Sequence, residues 1–383
     1  MTVGERRRIL VLGGGVGGTL VANLLARKLG RNEATVTVLD ETGQHVYQPG
    51  FLYVAFGEEE PEDIQRPERK LLDRRVELIR GRAVRILTRE RRVETEEHGS
   101  VPYDFLVIAT GSHLDPDAIP GLATAGHHFY TAAGAEALRR ALETFRGGRV
   151  VVGVGGVPYK CPPAPIEFAL MLDSRLRKQG LREGSEIHYV SPLPRVFPIE
   201  AVADFVQPIM EERGFLIHTF FNLESVDPAA RTITALEGET LPYDLLVLIP
   251  PHRGAQVVID SGLAEGTQGW IPTDRHTMQV VGQQGVYAIG DATNLPVSKS
   301  GAAAHYQGEV VASNVVAELR GEAPSHRYDG RVVCFLEVGD NRASVLSFDY
   351  EHPPNPPRPS WFYHAGKALF NRAYWWTVPT GRV

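Results

Sequence analysis

The feature that narrows the fold most is an internal repeat. A glycine turn opens at Gly13 and again at Gly153, and a Pro-Tyr-Asp triplet opens an apolar run at Pro102 and again at Pro242. Both pairs are separated by 140 positions. Two independent landmarks with one offset mark a duplicated supersecondary unit. Each copy runs from a short apolar strand through a glycine turn into a helix, and closes on a second apolar strand. Strands that alternate with helical patterns in this way build parallel sheets.

The first copy is complete. Gly13-Gly14-Gly15-Val16-Gly17-Gly18 follows a strand at 9–12 and precedes a helix at 19–29, so Gly13, Gly15 and Gly18 fit G-x-G-x-x-G. A second strand, 35–40, ends in Asp40. Glycines permit the tight turn and a close approach to a pyrophosphate, and the acid is placed for ribose hydroxyls. The run 102–111 ends in Ala109-Thr110-Gly111, and a short strand at 285–289 ends in Gly290-Asp291. Asp291 suits a sugar-alcohol chain, or else simply caps a helix. Lys299-Ser300-Gly301 then leads into a helix at 302–320, whose positive end suits a ring carbonyl. The expected fold is α/β: two tandem Rossmann-like dinucleotide-binding domains, the second inserted in the first, plus a C-terminal β-hairpin and helix. The first domain takes residues 1–112 and 252–325, the second 113–251, and the C-terminal segment 326–383.

The second copy departs from that pattern where it matters. Val157-Pro158-Tyr159-Lys160-Cys161-Pro162-Pro163 fills its turn, with Pro158 at the position of Gly18. Proline offers no amide to a phosphate. No acid ends the strand at 186–192, so a nicotinamide nucleotide is not expected there. Cys161 lies at a helix start beside Lys160, which predicts a depressed thiol pKa. Glu167, six residues on, is placed to move protons for a sulfur species. Cys334 is the chain's other cysteine. The two thiols either meet as a redox pair or are two buried free cysteines.

The totals exclude several classes. Two cysteines rule out a disulfide framework and a four-cysteine metal site, and no metal is expected. A net charge of −6 argues against nucleic acid. No apolar run reaches the ~18 residues of a membrane span. No apolar leader precedes the first strand, which places the chain in the cytoplasm. The run 44–57 reads as either a lid over a flat ring or a packed connection, and 353–359 as a proline-stiffened linker. The tail holds Trp361, Phe362, Tyr363, Phe370, Tyr374, Trp375 and Trp376, with Lys367 and Arg372 between them. It reads as an interfacial membrane helix, or as a helix packed on its own protein or on a second copy in a homo-oligomer.

Lys160-Cys161-Pro162-Pro163-Ala164-Pro165-Ile166-Glu167, Leu248-Ile249-Pro250-Pro251 and Asp329-Gly330-Arg331-Val332-Val333-Cys334 resemble the sulfide:quinone oxidoreductases and the related flavocytochrome c sulfide dehydrogenases. The two-unit layout resembles the wider disulfide oxidoreductase superfamily across nearly the whole chain. The resemblance implies non-covalent FAD in the first copy and a Cys161–Cys334 redox disulfide beside its ring. Sulfide would attack that disulfide, and Cys334 would pass two electrons on. It further implies Glu167 as proton acceptor and a quinone at Lys367 and Phe370. The enzyme would dock peripherally on the cytoplasmic face of the membrane. Two departures stand out: no third cysteine near Tyr130, and His305 where some members carry an acid, a residue still able to relay a quinone proton. A sulfide dehydrogenase passing electrons to a cytochrome, a type II NADH dehydrogenase and a flavin-bearing sensor without turnover remain alternatives.

Overall fold

A computed structural model of the chain describes residues 6–382. Residues 1–5, which carry part of the reading that no leader is present, and residue 383 lie outside them. The first copy contributes β1 (Arg7–Leu12), α1 (Val16–Lys28), β2 (Ala34–Asp40), α2 (Phe51–Phe56), β3 (Val76–Arg80) and β4 (Phe105–Ile108). The second contributes β5 (Gly148–Val154), α3 (Pro163–Lys178), β6 (Ser185–Val190), β7 (Phe215–His218) and β8 (Leu245–Ile249). After it come β9 (Val286–Ala288), α4 (Gly301–Leu319), β10 (Val332–Glu337), β11 (Ala343–Phe348) and α5 (Trp361–Ala373).

Two parallel sheets result, ordered β9-β4-β1-β2-β3 and β7-β6-β5-β8. Because β9 follows the whole second copy in sequence yet pairs with β4, the second unit is an insertion in the first. The central strands β1, β4, β5 and β8 are buried on two faces, which is why they read as nearly continuous Val, Ile and Leu.

The repeat extends further than the two landmarks. Each copy also carries a three-stranded antiparallel sheet, one beginning at Ala83 and the other at Leu223. Arg91 and Arg231 each sit at the hairpin turn with φ near +50° (51° and 53°). Their carbonyls accept from the N–H groups of Tyr103 and Tyr243, both at 2.9 Å. The aspartate that follows is equally fixed: Asp104 accepts from the Arg8 N–H and Asp244 from the Arg149 N–H, each at 2.7 Å. The Pro-Tyr-Asp triplet therefore ties the meander to the edge of the central strand. That requirement is the physical reason it recurs.

The copies differ at the first helix. α1 starts three residues after Gly13, whereas α3 starts ten residues after Gly153. The added chain is the cysteine turn. α3 itself is held by Asp173, whose fully buried carboxylate takes Arg177 (2.9 Å), Arg182 (2.6 Å) and Arg213 (3.3 Å). The run 44–57 is neither a bare loop nor a free lid. It contains α2, whose Phe51, Leu52, Val54, Ala55 and Phe56 are buried.

The C-terminal hairpin pairs Cys334 with Leu346 and Glu337 with Ala343. α5 lies against β11 and β10. Beyond it, Tyr374 places its hydroxyl 2.7 Å from His45 Nε2, and His45 Nδ1 lies 3.2 Å from Glu68, all buried. No helix is long and apolar enough to cross a membrane among the described residues.

Asp173→Ala leaves three guanidinium groups without their shared anion. We expect a loss of about 3 kcal/mol, read from the urea midpoint, because removing one partner of a buried ion pair costs roughly that much.

Candidate functional site

The cysteine turn brings the site together. Cys161 occupies the left-handed region at φ 51°, which costs a non-glycine residue roughly 1 kcal/mol or more. Three hydrogen bonds impose that conformation. The Cys161 N–H donates to the Lys299 carbonyl (2.7 Å), and its own carbonyl accepts from Ala164 (2.9 Å) and from the Tyr130 hydroxyl (3.3 Å). The first bond clips the turn onto the chain just before α4. The thiol thus stands where the two units meet, in a slot shared with Glu167, Asp291, Lys299 and Lys367.

The floor of that slot is an ion pair. Lys367 Nζ donates to Glu167 Oε1 at 2.6 Å, and both residues are buried. The Glu337 backbone N–H donates to the same oxygen at 2.8 Å. No protein group donates to Glu167 Oε2 among the described residues. The Lys367 ammonium is held well above its ordinary pKa; burial opposes its charge, and Glu167, Tyr53 and Glu337 outweigh that.

The expected depression of the Cys161 pKa is not found. Burial first, then the Glu167 carboxylate, push the thiol up to about 12, against weaker pulls from Lys367 and the Ala164 amide. Lys160, the neighbour in sequence, is itself lowered by burial. Desolvation of a thiolate outweighs the charge of an adjacent residue that is also desolvated.

Cys334 faces another space. It lines a cavity of about 720 Å³ walled by Phe197, Trp270, Leu346 and Phe348. Burial, and then the Cys161 charge, raise its thiol strongly. Both cysteines pack against one apolar cluster, yet both are free and no disulfide joins them. The expected meeting of the two sulfurs is therefore absent from this conformation.

Lys299 Nζ bonds the carbonyls of Asp291 (2.9 Å) and Thr293 (2.7 Å) and stands 3.6 Å over the Trp270 ring. Burial lowers its pKa to about 8. Asp291 lies inside a single 3-10 turn, Gly290–Ala292, and caps no helix; the helix that follows is capped by Ser300, which accepts from the Ala303 N–H. Asp291 accepts from Ser112 at 3.2 Å and faces the Cys161 slot.

The model of the pyridine nucleotide-disulphide oxidoreductase family matches residues 7–308. The mitochondrial sulfide:quinone oxidoreductase of Mus musculus is 30% identical over 365 residues, covering 92% of this chain and 80% of that one. The chain belongs to this family, in its sulfide:quinone oxidoreductase branch. The sulfide-quinone reductase of Aquifex aeolicus is 25% identical, with 98% and 92% coverage. The crystal structure of the sulfide:quinone oxidoreductase from Aquifex aeolicus superposes with a TM-score of 0.88 at 24% identity, over 98% and 92% of the two chains.

The family implies a flavin, and the residues of the first unit fit one. A cavity of about 560 Å³ runs from Gly13 and Asp40 past Thr110 to Arg253. A Cβ on Gly13 would lie 2.5 Å from the Ala109 carbonyl, and one on Gly18 would lie 1.9 Å from the Gly13 carbonyl, so only glycine allows this closeness. Nothing stands within 4 Å of a Cβ on Gly15, which leaves its backbone open to a ligand. The Thr110 hydroxyl is buried without a partner. Gly111 and Gly290 hold φ of 65° and 68° at the two strand ends beside this space. Asp40 Oδ1 accepts from Thr42 and Gly43, while Oδ2 accepts from the Gly14 N–H at 2.8 Å and has capacity left for a hydroxyl.

Two expected quinone residues do not join the slot. His305 lies edge-on against Tyr306 with its Nδ1 buried and unpartnered, and does not border the Lys367 slot. Phe370 points outward at 41% exposure. Lys367, expected to bind quinone, is buried and points inward. Sequence reading missed Glu337, His364 and Tyr53. Glu337 accepts from His364 Nδ1 at 3.1 Å, and burial raises its carboxyl. Its one signal is an acid closing the apolar run Val332–Glu337.

In a Cys334→Ser background, alkylation of Cys161 should accelerate only as the pH approaches 12. Glu167→Gln, which removes an anion, should bring that midpoint down. The linked effect on stability has a definite sign. The folded thiol keeps its proton up to about pH 12, the unfolded one only to 9.0. The contribution is therefore complete below pH 9 and lost as the pH rises towards 12, which thermal unfolding across that window reads.

Proposed function

We propose that the protein oxidises sulfide to zero-valent sulfur and passes the electrons to a membrane quinone, with FAD bound non-covalently in the first unit. The observation that carries this reading is the turn at Cys161. At the position where a dinucleotide helix would present amides, α3 presents Pro162, Pro163 and Pro165, and the remaining Ala164 N–H is spent on the Cys161 carbonyl. A pyrophosphate has little to bind there, and a thiol faces the slot instead. The same feature weighs against NADH as donor.

Cys161 and Cys334, apart in this conformation, act as an oxidised pair during turnover, which requires a movement that brings the two sulfurs together from the separate spaces they face here. Hydrosulfide attacks the S–S bond, giving a persulfide on one cysteine and a thiolate on the other. Reclosure of the bridge releases one zero-valent sulfur, one proton and two electrons. Bound FAD supplies the two-electron relay to the quinone. Glu167 Oε2, free of other donors, takes the proton, and Lys367 stabilises the carboxylate before and after. Asp291 and Lys299 face the slot, where they orient the ring-bearing part of the cofactor. With both thiols raised in pKa, the reduced resting site favours neutral thiols over free thiolates.

We further propose peripheral docking on the cytoplasmic side of the membrane; the outward face of α5 and of the turn after it supports docking on a membrane surface. Trp361, Phe362, Leu369 and Trp376 are each about two-thirds exposed or more (68%, 73%, 69% and 66%). Large apolar side chains at such exposure are costly in water and suit a lipid interface, where a quinone resides. Phe370 lies on this outer side, between the lipid and the Lys367 turn.

Anaerobic sulfide should bleach the flavin band of the wild type, and a short-chain quinone should restore it. Cys161→Ser and Cys334→Ser should each abolish bleaching, and Glu167→Gln should slow it about 100-fold. Bleaching retained in both serine variants sinks the sulfur mechanism. Replacing Trp361, Phe362 and Trp376 together by Ser should release the protein from lipid vesicles in a flotation assay while sulfide still bleaches the flavin.

A further inference from the structure

A buried chain of hydrogen bonds, which the sulfur chemistry does not involve, joins the C-terminal tail to the glycine turn of the first unit. Its outer end is the turn Tyr374–Trp376 that follows α5. The Tyr374 hydroxyl lies 2.7 Å from His45 Nε2. His45 Nδ1 lies 3.1 Å from the Gly14 carbonyl, 3.0 Å from the Thr19 hydroxyl and 3.2 Å from Glu68 Oε2. Thr19 in turn donates to Glu68 Oε1 at 2.7 Å. Thr19, His45 and Glu68 are fully buried, and Tyr374 nearly so. Past the turn, the tail is tied along α1. Asn23 donates to the Pro379 carbonyl at 2.8 Å and Arg27 to the Gly381 carbonyl at 2.6 Å.

The directions of these bonds fix one peptide. Burial first, then Tyr47 and Glu68, hold the Tyr374 hydroxyl well above its ordinary pKa, so it keeps its proton and donates to His45 Nε2. That leaves the ring proton on Nδ1, facing the Gly14 carbonyl and Glu68. A planar trans peptide sets its C=O and its N–H on opposite sides. A Gly14 carbonyl turned towards His45 therefore turns the Gly15 N–H away from it. A Cβ on Gly14 would lie 3.1 Å from the carboxyl carbons of both Asp40 and Glu68, so these acids reach the turn only because the residue is glycine. The Gly14 N–H is spent on Asp40 at 2.8 Å. The Gly15 N–H has no acceptor among the described residues, and nothing stands within 4 Å of a Cβ on Gly15.

We propose that Tyr374, His45 and Glu68 are positioning residues for the flavin: they hold the Gly14–Gly15 peptide with its amide free for the pyrophosphate, which makes the C-terminal tail part of the cofactor site. This rests on the FAD reading given above and not on the sulfur chemistry. The three side chains act through the Gly15 N–H, an anion donor at the start of α1. An amide already held in the binding orientation loses no freedom when the phosphates arrive, so the network strengthens retention of the cofactor without touching it. The bonds from Asn23 and Arg27 keep the tail against α1, so that Tyr374 stays opposite His45.

The test uses Tyr374→Phe, which removes one hydroxyl and keeps the ring beside Tyr47, 4.3 Å between centroids, together with Glu68→Gln. FAD should leave the Tyr374→Phe holoenzyme about fivefold faster than the wild type, read from the rise of free-flavin fluorescence on dilution. The phosphorus NMR resonances of the bound pyrophosphate should move in both variants. Arg27→Met, which frees Gly381 of the tail but leaves His45 its partners, should keep those resonances in place. A wild-type release rate in Tyr374→Phe overturns the inference. So do resonances that stay put in Tyr374→Phe, or that move as far in Arg27→Met, since a merely loosened tail gives either result. Should Glu68→Gln fail to fold, Tyr374→Phe decides alone. A wild type that binds no FAD overturns the cofactor reading and this inference with it. A wild type that binds FAD with these signatures, yet is not bleached by sulfide, overturns the sulfide reading and supports the inference.

Discussion

The structure depends on one buried ion pair, Lys367 with Glu167 at 2.6 Å. It joins residues 200 positions apart and fastens α5 to α3. Taking both charges out of water is costly, and the pair persists because Glu167 gains a second donor from the Glu337 backbone and Lys367 gains the nearby Tyr53 ring, 5.6 Å from its nitrogen. The C-terminal helix is therefore part of the slot rather than an appendage. Its position is set by the same contact that sets the charge state around Cys161.

Duplication supplied the frame for this site, and divergence supplied its chemistry. Both copies keep the Tyr and Asp bonds that lock the meander to the central strand, because those bonds hold the sheet. The loss falls on the second helix start, which is delayed and filled with prolines. A phosphate site needs free amides, and the prolines that withhold them here accompany a thiol in the space above α3. Cys161 is then held in a strained backbone conformation by a carbonyl from the first unit, which couples its position to the packing of the two units.

Much of this was legible in the sequence because it is periodic. The 140-residue offset, the strand ends at Asp40 and Gly111, the hairpin around Asp340 and the amphipathic tail all follow from local pattern. What was not legible is what depends on burial. Lys160 beside Cys161 suggested a thiolate, but a neighbour in sequence exerts little pull once both groups are desolvated, and the thiol moves the other way. Lys367 stood among the aromatics of the tail and was assigned to quinone by resemblance, and only the fold shows that it is buried against Glu167. Glu337 and His364 gave almost no signal, since each takes its meaning from partners on other elements. His305 and Phe370 were assigned to quinone by resemblance alone, and neither borders the Cys161 slot, so their quinone role rests on that resemblance.

The two faces of α5 make opposite demands, and the helix meets both through its register. Lys367 must be shielded from water for its pairing with Glu167 to control the thiol. Trp361, Phe362 and Leu369 gain only where water is displaced by something apolar. A rotation of the helix that exposed Lys367 would bury the tryptophan face against β10 and β11, break the Glu167 contact and leave a carboxylate unpaired beneath Cys161. Such a move is opposed by roughly the cost of an orphaned buried charge, several kcal/mol. Docking the outer face on a bilayer adds apolar burial without disturbing the inner one. The proposed lipid contact and the pairing of Lys367 with Glu167 thus call for the same orientation of one helix.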